Sequence, residues 1–475
     1  MNDSKQISAL EGLAEAAKAR ARPRPNPKLA SIRVSPGAYL AAASVLTFVA
    51  ALLLRSEQDL WALLSLAVAW LLIPILALAD RIAFDGEALT RHGPMPFLRQ
   101  LISGRLQQLN IADFEKVDTN AVRTLRRGGR VRYRYRTQVL GRQTIFAFAS
   151  GGRSYREMAS QLFPLIHEDK IDLRTRELRD YLCDPRAVAR EAESLQLASS
   201  EVLDNANPDL KITRTRQSSS EDSATLSVTE LERAAQFRLL GNRLRIVGRL
   251  REAREAFRRA LNVIPRDAWL IYDFARLLRS QASALGDARL LSRARAALRL
   301  SALRGQSDPK LLSLIGESLL ECGEPVRAQQ LFQRVIDLDQ RNFRARVGLA
   351  DVALRNGKLA HVIHQYRDAA QVAGETALLR FTRREADYYA RLNDDDDYLA
   401  AELRRINWLQ LCVRVRQLAA RVTNASILVA LIGPSIDPRI AGVSWSLASS
   451  SLFAWISSLF LTRYLSERRP PRQAQ

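Results

Sequence analysis

L-G-N-R-L-R-I-V-G-R-L-R-E-A-R-E-A-F-R-R-A-L-N-V-I-P, residues 240–265, decides the fold of this chain. Its apolar residues recur at helical rather than strand spacing, Gly248 interrupts the run near its middle, and Pro265 ends it. Glycine supplies the backbone freedom that a turn between helices needs. Proline lacks an N–H and collides with the preceding turn, so it stops a helix. The segment therefore reads as a helical pair. A similar order returns as Gly316, Gly323, Ala328 and Phe332, and again as Ala350, Gly357, Tyr366 and Ala369, with Gly323 and Gly357 one period apart.

Leu240, Gly241, Gly248, Ala253, Phe257, Ala260 and Pro265 stand at the spacing of the tetratricopeptide repeat, a helix pair of ~34 residues that this segment resembles. The resemblance implies that Gly241 and Ala253 are small where paired helices cross. It also implies that Phe257 fills the gap between them. Between the first copy and the later two there is room for one more repeat. Phe274, Ala275, Ala294, Leu298 and Ser301 fit it if residues 280–286 form an enlarged turn. Two positions depart from the family, Arg346 in place of an aromatic and Gln340 in place of the stop proline. Residues 376–392 read as a closing helix, because a last repeat otherwise exposes an apolar face. A generic helical bundle is the plainer alternative.

Such arrays hold a peptide or helix of another protein in a concave groove. Arg243, Arg245, Arg276, Arg279 and Arg344, on first-helix segments, are the candidate contacts in that groove. Guanidinium forks match carboxylates, so an acidic peptide, an acidic helix or a C-terminal carboxylate suits them. The bland reading is a solvated basic surface.

Outside the array the pattern changes. Residues 37–54 and 60–79 carry no charge, and each is about long enough to cross ~30 Å of hydrocarbon. Only residues 55–59 separate them, which predicts an antiparallel transmembrane hairpin. Pro74 within the second is tolerated in membrane helices. The first run comes after a basic stretch and is followed by no small-residue cleavage site, so it reads as a retained anchor. A weaker pair stands near the other end, residues 422–436 with Thr423, Asn424 and the Gly433-Pro434 step, then residues 440–461. Gly442, Ser446, Ser450, Ala454 and Ser458 recur every four residues and read as a close-packing stripe. Basic flanks, among them Lys18, Arg33, Arg414, Arg421, Arg463 and Arg469, place both termini and the middle of the chain in the cytoplasm.

Residues 130–140 alternate strictly, with Val131, Tyr133, Tyr135, Thr137 and Val139 on one face and Arg130, Arg132, Arg134 and Arg136 on the other. Ser154 and Glu157 form a capping-box pattern that opens an amphipathic helix through Met158, Leu162, Leu165 and Ile166. Strands closed by one helix resemble the pleckstrin-homology-like domains found beside membrane hairpins in bacterial proteins. The four arginines are candidates for anionic lipid headgroups, at ~1 kcal/mol each close to a bilayer, or simply a solvated face.

The sequence thus reads as multi-domain and mainly α. Residues 1–36 form a basic segment, 37–79 a transmembrane hairpin and 80–169 a small β-rich, pleckstrin-homology-like domain. Residues 170–228 form a helical connection and polar linker, and 229–392 an α-solenoid of repeats with its closing helix. Residues 393–421 form an acidic loop and basic juxtamembrane helix, 422–462 a second hairpin and 463–475 a basic tail. A chain of 475 residues supports about three domains. Its formal net charge of +22 admits nucleic acid, anionic lipid or an acidic protein as partner. An aromatic fraction of 7% leaves little for nucleic-acid stacking. Cys183, Cys322 and Cys412 form no paired motif, and fit a reducing compartment.

Little points to chemistry. His361 and His364 share a helix without an acid or thiol completing a tetrahedral set, and His167-Glu168 lacks a second histidine. The acids 394–397 miss the calcium-loop spacing, and no phosphate-cradling or nucleophile-elbow motif is present in the sequence. The reading expects no cofactor, no metal and no enzyme. It expects a membrane-anchored scaffold that binds a protein through the groove, in a bacterial inner membrane on the strength of the arginine-rich composition. Lipid or nucleic-acid binding, or a role as accessory subunit of a transport or enzyme complex, are the alternatives.

Overall fold

The structure is a computed structural model, and it describes residues 30–34, 37–103, 107–125, 131–142, 144–150, 152–197, 228–432 and 438–466. Two compact units emerge. One comprises residues up to 34 and 81–386, the other 35–80 and 387–475.

In chain order, strand β1 (Ala30–Arg33) comes first, followed by helices α1 (Gly37–Arg55) and α2 (Asp59–Ala79). Strands β2 (Arg81–Phe84) and β3 (Ala88–His92), helix α3 (Pro94–Ser103) and strand β4 (Gln108–Asn110) follow. Next come β5 (Lys116–Leu125), β6 (Val131–Leu140), β7 (Ile145–Ser150) and helix α4 (Arg153–Leu162). All pairings are antiparallel, giving a sheet ordered β1-β2-β3-β4 and another ordered β5-β6-β7. Their inner faces and α4 share one core around Phe84, Leu89, Phe114, Phe148 and Tyr155.

β1 lies within the segment read from sequence as merely basic, and it belongs to the β-rich unit. Residues 30–33 are too few to show an alternation. Only pairing with β2, Arg33 opposite Arg81, makes them a strand. The chain therefore leaves this sheet at Arg33 and re-enters at its cross-strand neighbour. The capping box is also not used: Gly152 is the N-cap of α4, and Glu157 accepts a hydrogen bond from Arg153 at 2.8 Å instead.

After a short stretch of 3-10 turns, α5 (Leu173–Tyr181) and α6 (Pro185–Ser194) precede four helix pairs. These are α7 (Val228–Val247) with α8 (Leu250–Val263), α9 (Ala268–Leu285) with α10 (Ala288–Arg304), α11 (Pro309–Glu321) with α12 (Pro325–Leu338), and α13 (Phe343–Arg355) with α14 (Leu359–Val372). Helix α15 (Thr376–Asp394) closes the series. Gly248, Gly323 and Gly357 hold positive φ at the turns. The expected enlarged turn over 280–286 does not form. α9 runs on to Leu285, and Gly286, in the left-handed region, caps it. Residues 280–285 contain no helix breaker, so extending α9 keeps backbone hydrogen bonds that a loop would forfeit.

Aromatic rings set on glycines lock the pairs. Phe257 packs against Gly241, where an added Cβ would sit 2.8 Å from the ring. Phe332 lies between Gly316 of its own pair and Gly348 of the next, at 2.6 and 2.5 Å by the same measure. One ring thus joins two successive repeats. At the first turn, a Cβ on Gly248 would fall 1.8 Å from the Val131 carbonyl oxygen, and the Gly248 carbonyl accepts from the Val131 N–H at 3.1 Å. The β-rich core and the first repeat turn meet backbone to backbone.

The second unit holds α1, α2, α16 (Asp396–Ile432) and α17 (Pro438–Ser466). α1 and α2 pack through Tyr39, Ala43, Ala69 and Ile73, and Trp70 Nε1 donates to Thr47 Oγ1 at 3.1 Å. The helices break at Asp395, within the expected acidic loop, and α16 then runs without a separate juxtamembrane helix, about 55 Å long at 1.5 Å per residue. The Gly433-Pro434 step lies outside the described residues.

α16 and α17 pack antiparallel along a seam whose residues are spaced alternately three and four apart. The seam includes Cys412, Ala419, Thr423 and Ser426 on one helix, and Ser444, Ala448, Ser451, Trp455 and Ser458 on the other. This corrects the expected stripe, because Gly442, Ser446 and Ser450 are exposed and Ala454 is only half-buried. A four-residue step turns an α-helix by about 400°, so a straight row drifts about 40° per step and leaves the contact face. Alternating steps hold it there.

Phe332→Ala should cost about 3–5 kcal/mol and Gly348→Ala about 1–3 kcal/mol, both read as a lower midpoint in urea unfolding. An unchanged midpoint for Phe332→Ala would mean that the ring does not couple the repeats.

Candidate functional site

The first helix of each pair carries guanidinium or ammonium groups, and Arg276, Lys310 and Arg344 stand one repeat length apart. Opposite them runs the chain's own segment from Glu168 to Gln196. Arg344 donates to the Glu168 carbonyl at 3.0 Å, and the Lys310 ammonium lies 3.9 Å from the Glu168 carboxylate. One element later, Glu177 of α5 takes Arg276 at 2.7 Å and Arg245 at 2.9 Å, with Arg279 at 3.8 Å. Further along, Glu191 of α6 meets Arg243 at 2.7 Å, and the Leu195 and Gln196 carbonyls accept from Arg259 at 3.2 and 3.1 Å. The segment thus crosses the array from its fourth repeat to its first, against the repeat order.

Each arginine singled out from sequence is engaged by this chain. Arg243 meets Glu191, Arg245 and Arg276 meet Glu177, Arg279 meets Glu177 and Glu321, and Arg344 forms a two-pronged pair with Glu317 at 2.7 and 2.9 Å. The expected free row of arginines awaiting a foreign acid differs from what folds. Sequence reading missed Glu168 and Glu177, because the stretch that bears them reads as a connection.

The Glu177 carboxyl is buried, and burial alone would raise its pKa. The surrounding guanidiniums of Arg245, Arg276 and Arg279 more than offset that and hold it well below the usual glutamate range. Glu168 is lowered to about 2. Burial opposes ionisation there too, and Arg176, Arg179 and Lys310 outweigh it. Beneath Arg276, Asp273 binds Arg276 at 3.1 Å and Arg238 at 2.7 Å. α5 is also tied to the β-rich core. Asp172 caps it by accepting from the Thr175 N–H at 2.9 Å, and Thr175, Thr119, Thr137 and Tyr155 link their hydroxyls in a chain at 2.8, 3.0 and 2.7 Å. Burial pushes the Asp172 carboxyl up to about 6.

On β6, Arg132, Arg134 and Arg136 are exposed on one face, and Arg130 lies outside the described residues. Their partners across β5 are Thr124, Val122 and Asn120, none of them acidic. His361 and His364 are exposed, with His364 3.4 Å from Asp368. Among the described residues no three potential ligands gather as a metal site.

No protein-family profile matches the chain, and no curated protein matches it. Among solved structures it resembles a chain from the functional characterization of Pseudomonas aeruginosa pilF. That match has 18% identity and a TM-score of 0.26, covering 34% of this chain and 75% of that one. It also resembles a chain of the APC/C hetero-tetramer Cut9–Hcn1, with 15% identity and a TM-score of 0.29. That match covers 65% of this chain and 52% of that one, about half its length. Both are tetratricopeptide-repeat proteins. At such TM-scores the likeness carries no argument, and the repeat architecture rests on the helix pairing, turn glycines and ring-on-glycine contacts described above.

Glu177→Gln should destabilise the protein by about 3–5 kcal/mol, the cost of leaving a buried pair half-complete. The depressed carboxyls of Glu168 and Glu177 give stability that is present above their ordinary value of 4.5. For Glu168 it is lost as pH falls through about 2. Asp172 works oppositely: its contribution is full below 3.8 and lost as pH rises through about 6. Urea unfolding across pH 2–7 should therefore show Asp172→Asn altering the range between about 4 and 6, while Glu168→Gln removes part of the fall at the acid end. A Glu168→Gln profile superimposable on that of the unaltered protein would refute this assignment.

Proposed function

We propose that this protein is a membrane-anchored interaction scaffold whose repeat array grips acidic helical segments, the first of them its own residues 168–196. The carrying observation is the basic ladder of Arg276, Lys310 and Arg344, which meets that segment at two of its acids, Glu177 and Glu168. A partner presenting an acidic helix of similar spacing competes for the same guanidiniums. The cis segment has the advantage of an intramolecular effective concentration, of order mM for a short tether, so it lowers the partner's apparent affinity.

For the anchor, support comes from the hairpin of α1 and α2, in which residues 37–54 and 60–79 carry no charge. α2 has a mean hydropathy of 2.5 over its candidate span, against 1.2 for residues Gly442–Thr462 of α17. The second hairpin is a poorer belt. Thr423 Oγ1 and Ser451 Oγ are 2.8 Å apart, which sets exposed Arg421 about level with the middle of the α17 candidate span. An arginine at that depth costs ~2.5–3.5 kcal/mol. We therefore assign the principal anchor to the first hairpin and give the array and both termini the cytoplasmic side that the basic flanks favour. For the pleckstrin-homology-like reading, support is limited to antiparallel strands followed by α4.

A second reading rests on the β6 face. Exposed Arg134 and Arg136, which face Val122 and Asn120 across β5, suit anionic headgroups. Liposome flotation with anionic vesicles should weaken for Arg134→Glu plus Arg136→Glu, and undiminished flotation would remove it.

The scaffold reading is tested in cells with a photo-crosslinker at position 321, the exposed end of α11. Glu168→Gln, which weakens the cis segment, should raise the yield of crosslinked partner, and Lys310→Glu with Arg344→Glu should lower it. Yields indifferent to both would sink the proposal. The anchor is tested by replacing residues 34–80 with an Asn-Gly turn, which the Arg33–Arg81 pairing accommodates. The shortened chain should become extractable by alkaline carbonate, and its retention in the membrane would count against the first hairpin.

A further inference from the structure

A cavity of about 550 Å³ opens where α5, α7, α9 and the strands β5 and β6 converge, a size within the range of small-molecule sites. Four arginines line it, Arg123, Arg174, Arg245 and Arg279, together with the acids Glu177, Asp287 and Glu321. The acids are already committed. Asp287 caps α10 by accepting from the Arg289 N–H at 2.7 Å, Glu321 pairs with Arg279, and Glu177 is shared among Arg245, Arg276 and Arg279.

The arginines are not fully answered. Arg174 makes no hydrogen bond or ion pair among the described residues, and Arg123 meets only the Ser283 hydroxyl. Arg245 has a side chain only 3% exposed, and it gives Nη1 to Glu177 while its Nε and Nη2 make no hydrogen bond. Nε–H and Nη2–H share one edge of a guanidinium, the edge that takes two oxygens of one oxyanion side by side. A buried, unanswered pair of charged donors is costly, more so than a neutral one.

We propose that this cavity binds a small phosphate-bearing molecule, with Arg123 and Arg174 receiving the phosphate oxygens and the buried Arg245 behind them adding its positive charge. A phosphate group concentrates nearly two negative charges and three acceptor oxygens in a small volume, which matches several guanidiniums converging on one point. Single carboxylates are already what the chain itself supplies there. Tyr133 lines the same cavity and stacks with Tyr135 at a centroid distance of 6.1 Å, leaving an aromatic wall for the organic part of the ligand. This site shares Glu177 and Arg245 with the groove but is tested at other residues. A phosphate here leaves Lys310 and Arg344 untouched, so either proposal can fail alone.

The test is isothermal titration of the full-length protein in detergent with pyrophosphate and with adenosine diphosphate, against citrate and against sodium chloride at matched ionic strength. Pyrophosphate or the nucleotide should bind saturably at one site. Arg123→Gln plus Arg174→Gln should weaken binding about tenfold or more per guanidinium removed. If that double variant fails to fold, Ser283→Glu, which sets a carboxylate beside Arg123, should abolish binding while circular dichroism remains unchanged. Absence of saturable heat from both phosphates, equal binding of citrate, or unaltered affinity in the variants would each overturn the assignment.

Discussion

One carboxylate organises the larger unit. Glu177 is buried, and it is shared by arginines from two repeats, Arg245 on α7 and Arg276 and Arg279 on α9. Removing so many charges from water is expensive, and the attraction compensates only because further partners complete the set. Asp273 neutralises Arg238 and Arg276 from behind, and the hydroxyl chain from Thr175 to Tyr155 holds α5 on the β-rich core. The array and the β-rich core are thereby built around a common charged centre as well as an apolar one.

This arrangement recasts a groove as an interface. Helix-pair arrays present a curved row of side chains because each pair is rotated slightly against the last. Here that row is met by the chain's own residues, acids and carbonyls together, in the order fourth repeat to first. The same basic groups that equip such a surface for a partner also fix the fold. In the proposed scaffold, function and stability draw on one set of arginines, and a partner's access depends on how firmly residues 168–196 are seated. The cavity beside Glu177 is the place where the arginines outnumber the acids available to them.

The β-rich core constrains the chain in another way. Pairing of β1 with β2 brings residues 33 and 81 side by side, so everything between them must leave and return at one point. A helical hairpin satisfies that requirement, since two antiparallel helices begin and end together. The seam of α16 and α17 shows a different solution, small and hydroxylated residues alternating three and four apart over a length that charged residues share. Burial there is assigned by helical phase, and composition alone points to the wrong stripe.

Much of the fold was legible in the sequence because it rests on local rules. Glycines at the turns, a proline at a helix end and alternation along β6 all act within a few residues. Gly248 and the Val131–Val139 face follow from such rules, and the place of Phe257 from the repeat resemblance. The site is different. Arg245 and Arg276 could be placed on first helices from their spacing, but their partner Glu177 lies 68 and 99 residues away in a stretch with no distinctive pattern. β1 likewise has no signal of its own until Arg81–Phe84 lies beside it. The sequence by itself determined the helix pairs of the first, third and fourth repeats, where those pairs turn and which face of β6 is apolar, since backbone and side-chain preferences are set by near neighbours. Only the tertiary structure decided which acids meet the arginines, because ion pairing is a matter of distance in space, and chain order does not carry that distance.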